Sequence, residues 1–473
     1  MKNIFKHLTA MLLVLSMILT MTACGKSDAD KKETFTEDEV VGGSRLQADW
    51  FDTAIIYEVN VRQFTEEGTF KAFSEHLERL QKLGVNTLWF MPIYPISELN
   101  KKGTLGSYYS IRDYKSINSE FGTLDEFKEL VNTAHTMGFH VIIDWVANHT
   151  GWDHTWITEH PEYYVKDENG DIIYPLDTDW YDVAQLDYTN ADMRNAMIDC
   201  MKFWVEEADV DGFRCDYAQG VPIDFWEDAR AELDKVKPVY MLAEDGTSSD
   251  SMLNSAFDSN YNFDLYDGLK LASSVSNNAD KLEYHVDKSL PYGAAKMNFI
   301  DNHDKNTYDG TLEERFGKDA LGALYTVVFT AEGLPLIYSG NEERADISLE
   351  FFEKDNINFG NYEYTDLISA LCNIKTSNEP LYNGVSGGNV RIIADDNKSV
   401  LAYERVKNGK KITVIVNLSD EEQKVKYDKK ISKGTVLLHG DSSGVLTSSG
   451  DIKADLKALN TLSPYEYYII LSE

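Results

Sequence analysis

Eight short apolar runs, separated by amphipathic segments, constrain the fold of this chain more than any other feature. β-Branched and aromatic residues dominate the runs, and apolar residues recur at helical spacing between them. This alternation is typical of repeated βα units, and eight such units predict a closed (β/α)8 TIM barrel. The predicted strands are Ala54–Val61, Thr87–Met91, His140–Val146, Gly212–Tyr217, Val239–Ala243, Tyr261–Leu265, Ala295–Ile300 and Leu334–Ser339. The predicted helices include Phe70–Leu83, Leu124–Met137, Ala191–Ala208 and Asp224–Val236.

The barrel pattern extends over residues 45–385 and contains one long insertion. Residues 150–188 follow the third strand and are rich in Trp, Tyr, His and Asp. Long loops of a barrel often carry functional residues, so this insertion is expected to lie over the barrel mouth. After Pro380 the pattern changes to short strands separated by turn signals such as Asn408-Gly409. Residues 386–473 are therefore predicted to form an antiparallel β-sandwich.

The N-terminus predicts export. A basic start, an apolar stretch over Leu8–Thr20 and small residues ending in Cys24 predict a signal peptide over residues 1–23. The cysteine resembles the lipidated first residue of bacterial lipoproteins. Residues 24–44 are then a polar tether, and the protein is expected at the outer face of a bacterial cell membrane. The alternative is an ordinary secretory signal with an incidental cysteine.

Net charge and cysteine content exclude some classes of binding partner and metal site. The net charge of −34 argues against nucleic acid, because phosphate binding requires a basic surface. Beyond Cys24 only Cys200, Cys215 and Cys372 remain, which is neither a disulfide framework nor a zinc motif. A metal, if one binds, is expected to be a hard cation on oxygen ligands.

Three carboxylates follow strand-like runs in order along the chain. Asp216, Glu244 and Asp304 each come at or shortly after the end of a predicted strand. Barrels place their reactive groups at the carboxyl ends of the strands. A pair of carboxyl groups flanking a sugar bond is the standard apparatus of a glycosidase. The three residues therefore predict hydrolysis or transfer at a glycosidic linkage.

Four stretches resemble the motifs of the α-amylase family, glycoside hydrolase family 13, and the resemblance extends from about Ile56 to the C-terminus. Each motif alone is weak, but all four in order on a barrel pattern are highly specific. The stretches are Asp144-Trp145-Val146-Ala147-Asn148-His149, Gly212-Phe213-Arg214-Cys215-Asp216, the strand that ends at Glu244, and Phe299-Ile300-Asp301-Asn302-His303-Asp304.

The resemblance implies a role for each carboxylate. Asp216 is the expected nucleophile and Glu244 the expected acid/base, with carboxyl groups about 5–5.5 Å apart for a retaining mechanism. Asp304 is expected to bind sugar hydroxyls and stabilise the positively charged transition state. Because Arg214 and Asp216 lie two apart on one strand, they share a face, and the guanidinium is expected to keep Asp216 ionised.

The resemblance also implies substrate contacts. Tyr109 matches the tyrosine that stacks under the reacting sugar, and His149, His303 and Arg214 belong to the same subsite. His154, Trp152 and Trp180 in the insertion either line the substrate groove or fold the insertion.

The chain departs from the family after Asp216. Typical members carry a lysine and a histidine where this chain has Gln219 and Gly220. The lysine usually binds sugar on the leaving-group side, and the histidine usually offers a carbonyl to calcium. Asn148, Asp187 and the Gly220 carbonyl are the candidate ligands here. No cofactor is expected for the chemistry itself, and the motifs leave open whether Ca²⁺ binds.

The sequence thus predicts a lipid-anchored retaining glycoside hydrolase acting on α-1,4 bonds of starch-like α-glucans or maltooligosaccharides. An exo-acting α-glucosidase, an α-1,6-active member or a transglycosylating member of the same family are the first alternatives. A non-catalytic glycan-binding lipoprotein is the second alternative, because a fold alone does not guarantee function.

Overall fold

The computed structural model describes residues 46–472, apart from 247–249, 275–277, 287–289, 292, 394–396, 428–433, 448–452 and 455–458. The predicted signal peptide, Cys24 and the tether lie outside the described residues. Within the described part of the chain, no helix is long and apolar enough to cross a membrane.

Eight parallel strands close into a barrel, which confirms the predicted (β/α)8 fold. The barrel order is β1-β2-β3-β6-β7-β8-β9-β10, and β10 pairs with β1. All eight strands are buried along almost their whole length, which explains why most of them are dominated by apolar residues. The barrel strands are β1 (Ile56–Val59), β2 (Thr87–Phe90), β3 (His140–Trp145), β6 (Gly212–Cys215), β7 (Tyr240–Ala243), β8 (Ser259–Tyr261), β9 (Ala295–Asn298) and β10 (Leu334–Tyr338). Between β3 and β6 the insertion carries β4 (His149–Gly151) and β5 (Val183–Gln185).

Several of the helices begin at polar residues whose side chains cap the first turn. The side chain of Asn190, for example, accepts hydrogen bonds from the first turn of α6, which runs over Ala191–Ala208 as predicted. The predicted helix Phe70–Leu83 is interrupted at Glu75 and His76. The helices are α1 (Val61–Phe64), α2 (Phe70–Ser74), α3 (Leu77–Leu83), α4 (Leu124–Thr136), α5 (Thr155–Glu159), α6 (Ala191–Ala208), α7 (Ile223–Leu233), α8 (Phe263–Ser274), α9 (Glu283–Val286), α10 (His303–Asp309), α11 (Leu312–Phe316), α12 (Leu321–Thr330) and α13 (Thr365–Ser377).

The sixth barrel strand lies earlier than predicted. Strand β8 is Ser259–Tyr261, and the predicted strand Tyr261–Leu265 is mostly the start of α8. Asn262 is polar because it caps this helix: its side-chain oxygen accepts from the Leu265 amide at 3.3 Å. Its amide also donates to Asn298 on the neighbouring strand β9 at 2.8 Å.

The insertion after β3 forms a small antiparallel unit at the barrel mouth. Strands β4 and β5 pair with His149 opposite Gln185 and Gly151 opposite Val183. The insertion therefore returns to the barrel directly beside the end of the first family-like motif.

The C-terminal strands form an unequal sandwich. Seven strands make one antiparallel sheet, ordered β11-β12-β13-β19-β15-β16 with β17 beside β15. Strands β14 and β18 form a second, two-stranded sheet, and apolar side chains from both sheets enclose a separate small core. The strands are β11 (Asn389–Ile392), β12 (Val400–Lys407), β13 (Lys410–Asn417), β14 (Gln423–Lys424), β15 (Gly434–Asp441), β16 (Gly444–Thr447), β17 (Lys453–Ala454), β18 (Thr461–Leu462) and β19 (Tyr467–Ser472).

Helix α12 joins the barrel to the large sheet. The helix is apolar on nearly all sides because it packs against β10 of the barrel and against β13, β15 and β19 of the large sheet. Buried Arg405 from β12 donates to the carbonyls of Thr330 and Ala331 at 3.2 and 2.9 Å, which satisfies the C-terminal end of the helix. The large sheet therefore supports the flank of the barrel.

Candidate active site

The predicted catalytic carboxylates lie at the carboxyl end of the barrel. The amide of Asp216 donates to the Trp145 carbonyl at 2.9 Å, and that of Glu244 to the Cys215 carbonyl at 3.0 Å. The strand ladders thus extend one residue beyond β6 and β7 and fix the backbone of both acids. Asp304 lies in the first turn of α10, after β9.

A single guanidinium connects the acids. Arg214 Nη1 lies 2.9 Å from Asp216 Oδ1, and Nη2 lies 2.9 Å from Glu244 Oε1. Nη1 also lies 3.1 Å from Oδ1 of Asp144, at the end of β3. The amide of Tyr217 donates to the second Glu244 oxygen at 2.7 Å, so both of its oxygens have partners. The two acids expected to react therefore face one rigid fork.

The solvent exposure of the four acidic side chains at this site separates them into two groups. The side chain of Asp144 is 0% exposed, like that of Arg214. The side chains of Asp216, Glu244 and Asp304 are 14%, 20% and 41% exposed. A substrate can therefore reach the last three, whereas Asp144 can act only on its neighbours.

Arg214 favours the ionised form of Asp216, as expected, but it does not outweigh the other influences on the pKa of this carboxyl group. Burial and the charge of Glu244 raise the pKa of Asp216 well above its usual range, and Arg214 only partly opposes them. Arg214 opposes them only partly because its guanidinium pairs with three carboxylates, those of Asp144, Asp216 and Glu244. Arg214 therefore stabilises the Asp216 carboxylate only in part.

Tyr109 and His303 lie side by side in the site. Their rings stack with centroids 5.5 Å apart, and the Tyr109 hydroxyl lies 2.9 Å from His303 Nε2. The same hydroxyl donates to Asp144 Oδ2 at 3.1 Å. His303 Nε2 lies 3.5 Å from Asp304 Oδ1. The structure thus brings these predicted substrate contacts together with the catalytic carboxylates.

Glu58 is a site residue that the motifs do not reveal. It lies on β1, fully buried, and its Oε1 is 2.5 Å from His303 Nδ1. Burial raises the pKa of Glu58 to about 7. Burial lowers the pKa of His303, but the charges of Asp304 and Glu58 outweigh this and raise it to about 9. The sequence gives one indication of this role, because Glu58 is a charged residue within an otherwise apolar strand, where burial is costly unless the group is paired.

Replacing Glu58 with glutamine is expected to lower the pKa of His303, because one of the two anions that favour its cation is removed. In the wild type the cation is present at neutral pH and is lost as the pH rises through about 9. In Glu58→Gln the loss should occur at lower pH. NMR titration of the His303 ring measures this midpoint, with exposed Glu66→Gln as control. An unchanged midpoint would contradict the role given to Glu58.

His149 faces the site as a neutral ring. Burial lowers its pKa to about 4. The Asn148 amide lies 3.2 Å from His149 Nδ1 and donates to it, which leaves the hydrogen on Nε2. The Trp180 ring lies 5.6 Å from His149 and 5.3 Å from Tyr217, between centroids.

His154 and Trp152, the other two insertion residues considered as groove candidates, have structural contacts. His154 is buried and caps α5 by accepting from the Trp156 amide at 3.1 Å. The Trp152 indole donates to the Tyr181 carbonyl at 2.9 Å and packs against the main core. Of the three, Trp180 is the one that contacts catalytic-site residues.

Two of the three candidate calcium ligands are engaged by protein donors. Asn148 and Gly220 lie close together, since a Cβ added to Gly220 would stand 3.1 Å from Asn148 Oδ1. That oxygen, however, already accepts a hydrogen bond from the Gln185 amide at 3.1 Å. Asp187 Oδ1 is engaged by Thr189 in a turn. Among the residues described, no group of three or more His, Cys, Asp or Glu side chains could hold a metal.

Known proteins share both the sequence pattern and the fold. Residues 27–181 and 167–358 match the family model for the α-amylase catalytic domain. Alpha-amylase 3 of Dictyoglomus thermophilum is 25% identical over 464 residues, covering 82% of this chain and 89% of the relative. A crystal structure of an α-amylase from Lactobacillus plantarum is 30% identical with a TM-score of 0.76, covering 89% of this chain and 99% of that one. A noncanonic maltogenic α-amylase, AmyB from Thermotoga neapolitana, is also 30% identical with a TM-score of 0.73, covering 89% and 96%.

Proposed function

This chain belongs to the α-amylase family of glycoside hydrolases, and we propose that it cleaves α-1,4 bonds in starch-like glucans or maltooligosaccharides with retention. The observation that carries the proposal is the Arg214 fork, which holds Asp216 and Glu244 together and accessible at the barrel mouth. The two carboxyl groups on this fork can serve as the nucleophile and the proton donor that a retaining mechanism requires.

The first half-reaction forms a covalent intermediate. The Asp216 carboxylate attacks the anomeric carbon while Glu244 gives its proton to the leaving oxygen, so the glycosidic bond breaks and a glycosyl ester forms. The developing positive charge on the sugar is stabilised by Asp304. The Tyr109 ring is positioned by hydrogen bonds on both sides of its hydroxyl and supports the sugar from below.

The second half-reaction releases the sugar. Glu244, now a carboxylate, takes a proton from water, whose oxygen attacks the same carbon. The bond to Asp216 breaks and its carboxylate is restored. Two inversions at one carbon give net retention.

Tyr217, whose amide donates to the acid/base Glu244, packs against a second aromatic residue, Trp180. Gly220 leaves room for the Tyr217 ring, since a Cβ at Gly220 would come within 2.3 Å of that ring. Trp180 packs edge-on against Tyr217, whose amide holds the acid/base Glu244. We therefore propose that Trp180 stacks on the leaving-group sugar in place of the lysine contact that Gln219 lacks.

Replacing Trp180 with alanine is expected to lower kcat/KM for maltoheptaose by roughly tenfold, which corresponds to about 1.4 kcal/mol of lost stacking. An α-maltosyl fluoride has no sugar on the leaving side, so its kcat/KM should stay within about twofold. Steady-state kinetics on the two substrates give the comparison, and Trp180→Phe should recover most of the loss. Equal losses on both substrates would show that Trp180 only folds the insertion.

Release of reducing sugar from soluble starch and maltoheptaose by residues 25–473 tests the proposed activity. Chromatography of the products separates the family alternatives: a ladder of sizes means endo-action, and one small product means exo-action. Wild-type protein that is inert on these glucans and on α-1,6-linked glucans, sucrose and trehalose would favour a glycan-binding protein instead.

A further inference from the structure

The side-chain amide of Gln185 lies where three oxygen atoms converge. Its nitrogen is 3.0 Å from the Asn148 carbonyl oxygen, 3.1 Å from Asn148 Oδ1 and 3.2 Å from the Leu186 carbonyl oxygen. Gln185 is the last residue of β5, the returning strand of the insertion, and Asn148 directly precedes β4. The amide therefore bridges the insertion to the loop that leaves β3.

The orientation of this amide follows from its partners. Backbone carbonyls can only accept hydrogen bonds, so two of the three contacts require the nitrogen of Gln185 to face them. Its oxygen then faces the amide of Asn148, at 3.4 Å. Asn148 in turn donates to His149 Nδ1, so the bridge also orients a residue of the substrate site.

Converging carbonyl and amide oxygens are the surroundings that a hard cation prefers, and calcium would need six to eight of them at about 2.3–2.6 Å. Here the Gln185 side-chain nitrogen, which carries the positive end of the amide dipole, lies among the three oxygen atoms instead. We infer that Gln185 takes the place of a cation at this junction, so that the insertion is attached to the barrel and His149 is oriented without calcium.

Thermal unfolding of the active protein tests the inference. The wild-type Tm should change by less than about 1 °C between excess EDTA and millimolar CaCl2, because there is no bound ion to remove or add. Gln185→Leu removes the donor and should lower Tm by roughly 3–5 °C in both solutions, because buried oxygens lose their partner.

Gln185→Glu separates the inference from a general packing effect. A carboxylate of the same shape faces three acceptor oxygens, so its Tm should also fall by roughly 3–5 °C in EDTA. Added Ca²⁺ should restore Tm in this variant alone, since the substitution completes an oxygen-lined site. The exposed Gln81→Glu is the control for added charge, with a Tm change below about 2 °C in either solution.

Three results would overturn the inference. They are a wild-type Tm that falls in EDTA and recovers with Ca²⁺, an unchanged Tm in Gln185→Leu, and a Gln185→Glu variant that Ca²⁺ does not stabilise. The wild-type comparison needs no substitution, so it decides the question even if both variants fail to fold. Because Tm is the readout, failure of this inference is distinguishable from failure of the proposed catalytic activity.

Discussion

Replacing Asp216 with asparagine is expected to abolish release of reducing sugar from soluble starch, with a loss in kcat of at least about 10⁴-fold, on the scale of nucleophile removal in other covalent hydrolases. The neutral amide cannot form the glycosyl ester, so neither half-reaction takes place. The asparagine oxygen can still accept from Arg214 Nη1, which now contacts Asp216 at 2.9 Å. The fold should therefore be retained, and a reducing-sugar assay combined with a Tm measurement gives both results.

The matched control is Asp224→Asn on α7. The Asp224 side chain is 64% exposed and pairs with Arg194 on the surface, where ion pairs contribute little. Its activity should remain within about twofold of the wild type. If Asp216→Asn keeps more than about one hundredth of the wild-type rate, Asp216 is not the nucleophile.

Replacing Glu244 with alanine is expected to lower kcat on starch by roughly 10²–10⁴-fold, the usual contribution of a general acid–base group. The loss should be much smaller in the first step with an α-maltosyl fluoride, because fluoride leaves without a proton. The intermediate then accumulates, since no base activates water. Azide needs no base, so it should attack the same carbon, displace Asp216 and yield an α-glycosyl azide.

Azide rescue thus identifies the role of Glu244 rather than only its importance. The control is Glu232→Gln, whose side chain is 40% exposed on the surface of α7; it should show wild-type kinetics and no response to azide. If Glu244→Ala shows no azide product and loses activity equally on both substrates, Glu244 acts only through the geometry of Arg214.

The barrel could be predicted from the sequence because its strands are buried parallel strands with continuous apolar runs. The sixth barrel strand, β8, was predicted at the wrong position and shows where apolar runs cease to identify a strand. Strand β8 carries polar Ser259 and Asn260, while the residues after it are the cap and first turn of α8. A polar residue between two apolar runs is compatible with a strand or a helix start, and the tertiary contacts of Asn262 decide between them.

The site was predictable where a motif carries it and not elsewhere. Arg214, Asp216 and Glu244 meet because neighbouring parallel strands end together, which the order of the motifs implies. Glu58 belongs to no motif, and its contact with His303 joins residues 245 apart in sequence. The role inferred for Gln185 was not predicted for a related reason. The sequence does not show that its amide lies against Asn148, one of the candidate calcium ligands.

The anomeric form of the first product tests the central claim most directly. Proton NMR during hydrolysis of maltoheptaose follows the new reducing end before it mutarotates. The account predicts that the α-anomer appears first and that the β-anomer follows by mutarotation, because two displacements at one carbon retain configuration. Appearance of the β-anomer first would mean a single displacement by water, which would contradict the assignment of Asp216 as the covalent nucleophile.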